Sequence, residues 1–69
     1  MNNMFLKLTS ADNREIFVNM NKVIYYDKGY ENGMHTTNLH MERCNLYVLE
    51  TPEFILKKTE ELRLKKKNE

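Results

Sequence analysis

The side chains with the widest chemical reach in this sequence are His35, His40 and Cys44. Imidazole and thiolate both ligate zinc, and His40 and Cys44 are spaced to meet across a turn. A zinc site usually takes four ligands, and recognisable motifs pair them at short spacing. The sequence holds no second cysteine to complete such a set. A thiol beside an imidazole is also the start of a nucleophile and base pair. That chemistry further needs a group to orient the base, an oxyanion site and a pocket, and a thin core leaves little room for one. The two glycines, Gly29 and Gly33, fit turns and make no phosphate-binding loop. The residues therefore predict exposed histidines on a strand beside a small buried thiol. They predict no catalytic residue, no metal, no cofactor and no small-molecule substrate.

The elements that position these residues belong to a short chain. With 69 residues, the reading is a single domain over 1–69. A domain of this size buries only about 60% of the surface its unfolded chain exposes. Such a core supplies no more than about 3–5 kcal/mol unless something reinforces it. One cysteine cannot form an internal disulfide, and a single thiol fits a reducing compartment. Self-association is then the available route to further burial. Eleven basic and ten acidic residues leave a formal charge of +1, which is not the footprint of a dedicated nucleic-acid binder. The first residues carry no charged signal region, and no apolar run approaches the ~18 residues of a membrane span. The expectation is a cytoplasmic protein with no membrane partner.

Hydrophobic periodicity organises the chain. Met4–Thr9 and Glu15–Met20 alternate with period two, separated by the turn formers Ser10-Ala11-Asp12-Asn13, which predicts an antiparallel hairpin. A third strand is expected over 23–28, where Val23-Ile24-Tyr25-Tyr26 is β-branched and aromatic. Asn32-Gly33 is the sharpest turn signal, because both residues accept positive φ. Strands over 34–40 and 45–50 follow, joined by a polar connection at Met41–Cys44. Thr51 is a good N-cap, Pro52 suits the first helical position and Glu53 complements the helix dipole. A helix over 52–65 buries Ile55, Thr59 and Leu62 on one stripe, flanked by Phe54 and Leu56. Glu53–Lys57 and Glu61–Lys65 are acid-before-base pairs one turn apart. The fold class is α+β: a five-stranded antiparallel meander followed by one C-terminal amphipathic helix.

One parity class of the strands would meet the helix: Leu6, Leu8, Ile16, Val18, Ile24, Tyr26, Leu39, Leu46 and Val48. The opposite class holds Phe5, Phe17, Tyr25 and Tyr47, with Lys7 among them. A half-solvated sheet should be polar on its outer face, and one helix cannot cover both. Either the sheet curls into an SH3-like or partly closed barrel, or the four aromatics form a contact surface for a second copy or another protein. A further reading is an aromatic platform for single-stranded nucleic acid. The basic helix end, Lys57, Lys58, Arg63, Lys65 and Lys66, offers a phosphate-contacting alternative, or simply satisfies the helix dipole.

The segments MFLKLT, IFVN, VIYY, HTTNL and YVLETPEFI together resemble the flagellar-operon FlbD-like family and similar short bacterial and phage proteins. That resemblance spans about four-fifths of the chain and implies a small sheet-plus-helix domain; it transfers no catalytic or binding residues. Leu49 and Pro52 alter the spacing of the strand-to-helix junction, and Met41-Glu42-Arg43-Cys44 stands where the family usually has a glycine. VNMNKVIYYDKG, HTTN and LYVLETPEFILKKTEEL are also similar to the strand and helix succession of LytTR-type DNA-binding domains. The leading expectation is a non-enzymatic interaction or regulatory module that self-associates through Phe5, Phe17, Tyr25 and Tyr47. The runner-up is a small nucleic-acid-binding protein.

Overall fold

The computed structural model describes residues 4–67, and side chains over 4–64. Strands β1 (Phe5–Thr9), β2 (Glu15–Asn19), β3 (Val23–Glu31), β4 (Met34–Met41) and β5 (Asn45–Val48) precede helix α1 (Pro52–Lys67). They form two antiparallel sheets, β1-β2 and β3-β4-β5, and neither is closed. The expected continuous meander is therefore broken between β2 and β3. Met20–Lys22 makes a 3-10 turn there, capped by the Asn19 side chain accepting from the Asn21 amide. Met20, expected in the second strand, begins that turn and donates its amide to the Met4 carbonyl at 2.9 Å.

The two sheets meet elsewhere. An isolated antiparallel bridge joins Ser10 to Val48, flanked by Leu49 N–H to Thr9 O at 2.8 Å and Ala11 N–H to Tyr47 O at 2.9 Å. Glu50 continues this seam. Its carboxylate accepts the Thr9 amide at 2.9 and 3.0 Å, and its carbonyl accepts the Thr37 hydroxyl. One residue thus ties β1 to β4 where the fifth strand has ended, at Val48 and short of the expected 45–50. Hydrogen bonds to a charged acceptor contribute about 1.5–3 kcal/mol. Glu50→Ala is expected to lower stability by about 2 kcal/mol, read as a fall in the urea midpoint with unchanged cooperativity; an unshifted midpoint would contradict the role given to this side chain.

The β1–β2 connection is built by local polar groups. Asn13 sits at φ 68, the left-handed conformation that asparagine tolerates. The Ser10 hydroxyl donates to Asp12, and the Ser10 and Arg14 backbones close the loop at 2.8 Å. That hydroxyl, with a smaller contribution from the nearby Arg14 guanidinium, holds the Asp12 carboxyl below its ordinary value of 3.8. A depressed folded value means stabilisation that is present above the unfolded value and lost as pH falls through the folded one. Asp12→Asn should therefore narrow the stability difference between neutral pH and pH below about 4, measured by urea unfolding at the two pH values.

The Asn32-Gly33 turn forms as read, with φ 52 and φ 77. The hairpin above it is longer than expected. β3 runs to Glu31 rather than 28, and β4 runs to Met41. The connection is Glu42-Arg43-Cys44, one residue shorter than expected, and is closed by the Met41 amide donating to the Cys44 carbonyl at 2.9 Å.

The core comprises Met4, Leu6, Leu8, Val18, Met20, Leu39, Val48 and Ile55, with Ile16, Val23, Tyr26, Met41, Leu46 and Leu62 packed around it. Ile24 was expected in that set and lies outside it, 67% exposed. The β3–β4 register shifts between Val23 and Tyr25. Such a bulge exchanges the faces of the residues beside it, so Val23 turns inward and Ile24 outward. Thr51 caps α1 as expected, its hydroxyl accepting from the Phe54 amide at 3.1 Å. Ile55 and Thr59 are buried and Leu62 half-buried, whereas Phe54, Leu56 and Leu64 stand exposed. The helix continues to Lys67 rather than 65. Its ion pair among the described residues is Lys58–Glu61 at 3.6 Å.

Candidate functional site

Strand parity fixes which side chains share a surface. Ser10 and Val48 oppose each other across the bridge and both are buried, so the core-facing sides of the two sheets are continuous there. The sides facing away are then continuous as well. Phe5 and Phe17 lie on the side of β1-β2 away from the core, and Tyr25 and Tyr47 on the corresponding side of β3-β4-β5.

The four aromatics are not equivalent. Phe5 and Phe17 are 55% and 58% exposed and sit diagonally across β1 and β2, where Lys7 opposes Phe17. Diagonal neighbours on one sheet face lie about 7–8 Å apart, within reach of aromatic rings. The Lys7 ammonium pairs with Glu15 at 3.1 Å, which neutralises the charge nearest the rings. Tyr25 is 55% exposed and stacks on His40 with ring centroids 4.2 Å apart and planes at 10°. His40 Nε2 lies 3.1 Å from Asp27 Oδ1, and these contacts hold the imidazole, and with it the tyrosine ring, in place.

Tyr47 differs from the expectation of an open contact residue, being half-buried. Its ring lies over Gly29, where an added Cβ would sit 3.9 Å from Tyr47 Cδ2 and 3.0 Å from Thr36 Oγ1. The glycine leaves the floor on which the ring rests. Thr36 Oγ1 and Asn38 Oδ1 are buried in this region without a protein partner among the described residues. Sequence parity placed Tyr47 on the correct side, but only the cross-strand register reveals that Gly29 lets it sink.

Chemistry at the three reactive side chains is sparse. Cys44, expected to be buried, is instead exposed and free, because it sits in the short connection that precedes β5. His40 is engaged by Asp27 and Tyr25, whereas His35 meets Tyr30 edge-on at 5.0 Å near the hairpin tip. Among the described residues no three histidine, cysteine, aspartate or glutamate side chains are grouped to hold a metal ion. A cavity of about 200 Å3 opens between the hairpin and the start of α1, lined by Lys28, His35, Thr37, Glu50 and Glu53 among others. Glu50 is already committed to Thr9, so this cavity presents the Glu53 carboxylate beside the Lys28 ammonium and the His35 imidazole.

The alternative nucleic-acid contacts are partly placed. Lys57 and Arg63 are exposed on α1, while Lys58 is half-buried, its ammonium 3.6 Å from Glu61 and 5.6 Å above the Phe54 ring. The side chains of Lys65 and Lys66 lie outside the described residues. No described helix is long and apolar enough to cross a membrane. Against known proteins, no family model, no curated protein and no solved structure matches this chain.

Proposed function

We propose that the protein is a non-enzymatic interaction module that associates with its own copies through the outer aromatic surface. The observation that carries this reading is the exposure of Phe5, Phe17 and Tyr25, each more than half open to solvent on one side of the strands. Exposed apolar patches beyond a few hundred Å2 mark interaction sites. The small core supplies a reason for self-association, since burial against a second copy adds stability the monomer lacks. Neutralised Lys7 and the imidazole-backed Tyr25 present rings with little net charge, which suits contact with an identical surface.

The reading predicts a mass by light scattering that rises above the monomer's 8.3 kDa as concentration increases. Apolar contact would leave this association nearly insensitive to salt. Binding of an oligonucleotide that weakens steeply with salt would instead support phosphate recognition by the helix.

A further inference from the structure

The edge of β3 is a further candidate surface, adjoining the aromatic one at Tyr25. β3 is the edge of its sheet and, among the described residues, carries no strand on its far side. Its outward backbone groups follow from the ladder. The two-residue Asn32-Gly33 turn makes Glu31–Met34 a hydrogen-bonded pair, and pairs then alternate along the strand. Tyr26, Lys28 and Tyr30 are left with amide and carbonyl groups pointing away from β4. The second hairpin agrees independently: Met41 bonds to Cys44, so the odd residues of β4 face β5 and its even residues face β3.

A groove of about 160 Å3 runs beside the start of this edge, between β3 and α1, lined by Ile24, Tyr25, Tyr26, Leu56, Thr59 and Arg63 among others. Ile24 and Leu56 are 67% and 51% exposed there, so the groove is open and offers two apolar side chains among polar ones. Arg63 at its wall and Lys28 further along the edge make no ion pair among the described residues. Both cations border the helix side of the strand.

We propose that this edge and groove receive an extended segment of another protein, added antiparallel to β3 as a further strand. Its residue opposite Lys28 is acidic, and its residue opposite Tyr26 is apolar and enters the groove. Main-chain pairing supplies affinity and the alternate side chains supply specificity. The charges on β3 argue against a second copy as the occupant. Any antiparallel register that pairs two different members of the Tyr26, Lys28 and Tyr30 trio across a two-fold axis opposes like charges. Tyr26 with Tyr30 sets Lys28 against Lys28, Tyr26 with Lys28 sets Asp27 against Asp27, and Lys28 with Tyr30 sets Asp27 against Glu31. Directly opposed like charges destabilise a strand pair, and edge charges are a common guard against self-pairing. An acidic, apolar strand meets no such conflict.

The probe is the blocked hexapeptide Val-Thr-Glu-Thr-Ile-Thr, which in antiparallel register sets glutamate opposite Lys28 and isoleucine opposite Tyr26. Titrated up to about 1 mM into the labelled full chain, it is expected to shift the amide resonances of Tyr26, Lys28 and Tyr30. Replacing its glutamate by lysine should weaken binding about tenfold, and Lys28→Glu should reverse that preference. N-methylation of the peptide backbone at the glutamate should abolish binding. Phe5→Ser/Phe17→Ser should leave it intact, which separates this site from the β1-β2 part of the self-association surface, Tyr25 bordering both. Absence of binding, indifference to the glutamate-to-lysine and N-methyl changes, or shifts centred on Phe5 and Phe17 would each overturn the proposal.

Discussion

Replacing Ile55 with alanine is expected to unfold most of the protein at room temperature. Ile55 is fully buried and is the helix residue that enters the main core cluster, alongside Leu8, Leu39 and Val48. Truncating a buried isoleucine costs about 2–5 kcal/mol, the lost transfer energy plus the cavity left behind. A core this small supplies only about 3–5 kcal/mol in total, so a typical loss removes most of the margin. Ile55→Val should cost about 0.5–1.5 kcal/mol and remain folded. Leu56→Ala, one residue along and half exposed, should change stability by no more than about 0.5 kcal/mol. Urea titrations followed by far-ultraviolet circular dichroism distinguish the three. A wild-type midpoint for Ile55→Ala would mean that α1 is not what holds the sheets together.

The second large effect concerns association. Phe5→Ser/Phe17→Ser/Tyr25→Ser should leave the monomer folded and abolish its self-association. The three side chains are outside the core cluster, so the fold does not depend on burying them. An aromatic side chain buries 150–250 Å2 when fully covered; at about half exposure three of them offer roughly 300 Å2 per copy. A standard interface takes about 800 Å2 from each partner. The expected complex is therefore weak, with micromolar dissociation, and depends heavily on its aromatic anchors. Removing one ring should weaken it at least about tenfold and removing all three should leave monomer at high micromolar concentration. A triple variant that associates as the wild type does would move the contact to another surface.

Much of the fold was legible because its signals are local. Asn32-Gly33 is a turn whose two positive φ values come from the residues themselves, and Thr51-Pro52 starts a helix by capping chemistry confined to four residues. The stripe Ile55, Thr59 and Leu62 needs only helical periodicity. What escaped depends on distant parts of the chain. Parity alone points Ile24 inward, and a bulge formed against β4 turns it outward. The seam between β1 and β5 rests on Glu50 reaching Thr9, 41 residues away, and no periodic pattern announces such a contact. Of the outer aromatics, Phe5, Phe17 and Tyr25 were legible as a class, because residues of one parity share a face once the strands are right. Tyr47 escaped in part, because its depth is set by Gly29 across two strands. The edge of β3 was also hidden from sequence, since an edge is defined by which strand is not beside it.

These two effects separate how the protein holds together from what it contacts. The buried side of the strands and Ile55 carry stability; the opposite side carries the proposed association. Sedimentation equilibrium of the wild type and the triple variant, from low to high micromolar concentration, tests the central claim most directly. The account predicts a wild-type mass that climbs above 8.3 kDa with concentration and a triple variant that stays at the monomer mass throughout. A wild type that remains monomeric across that range would contradict it.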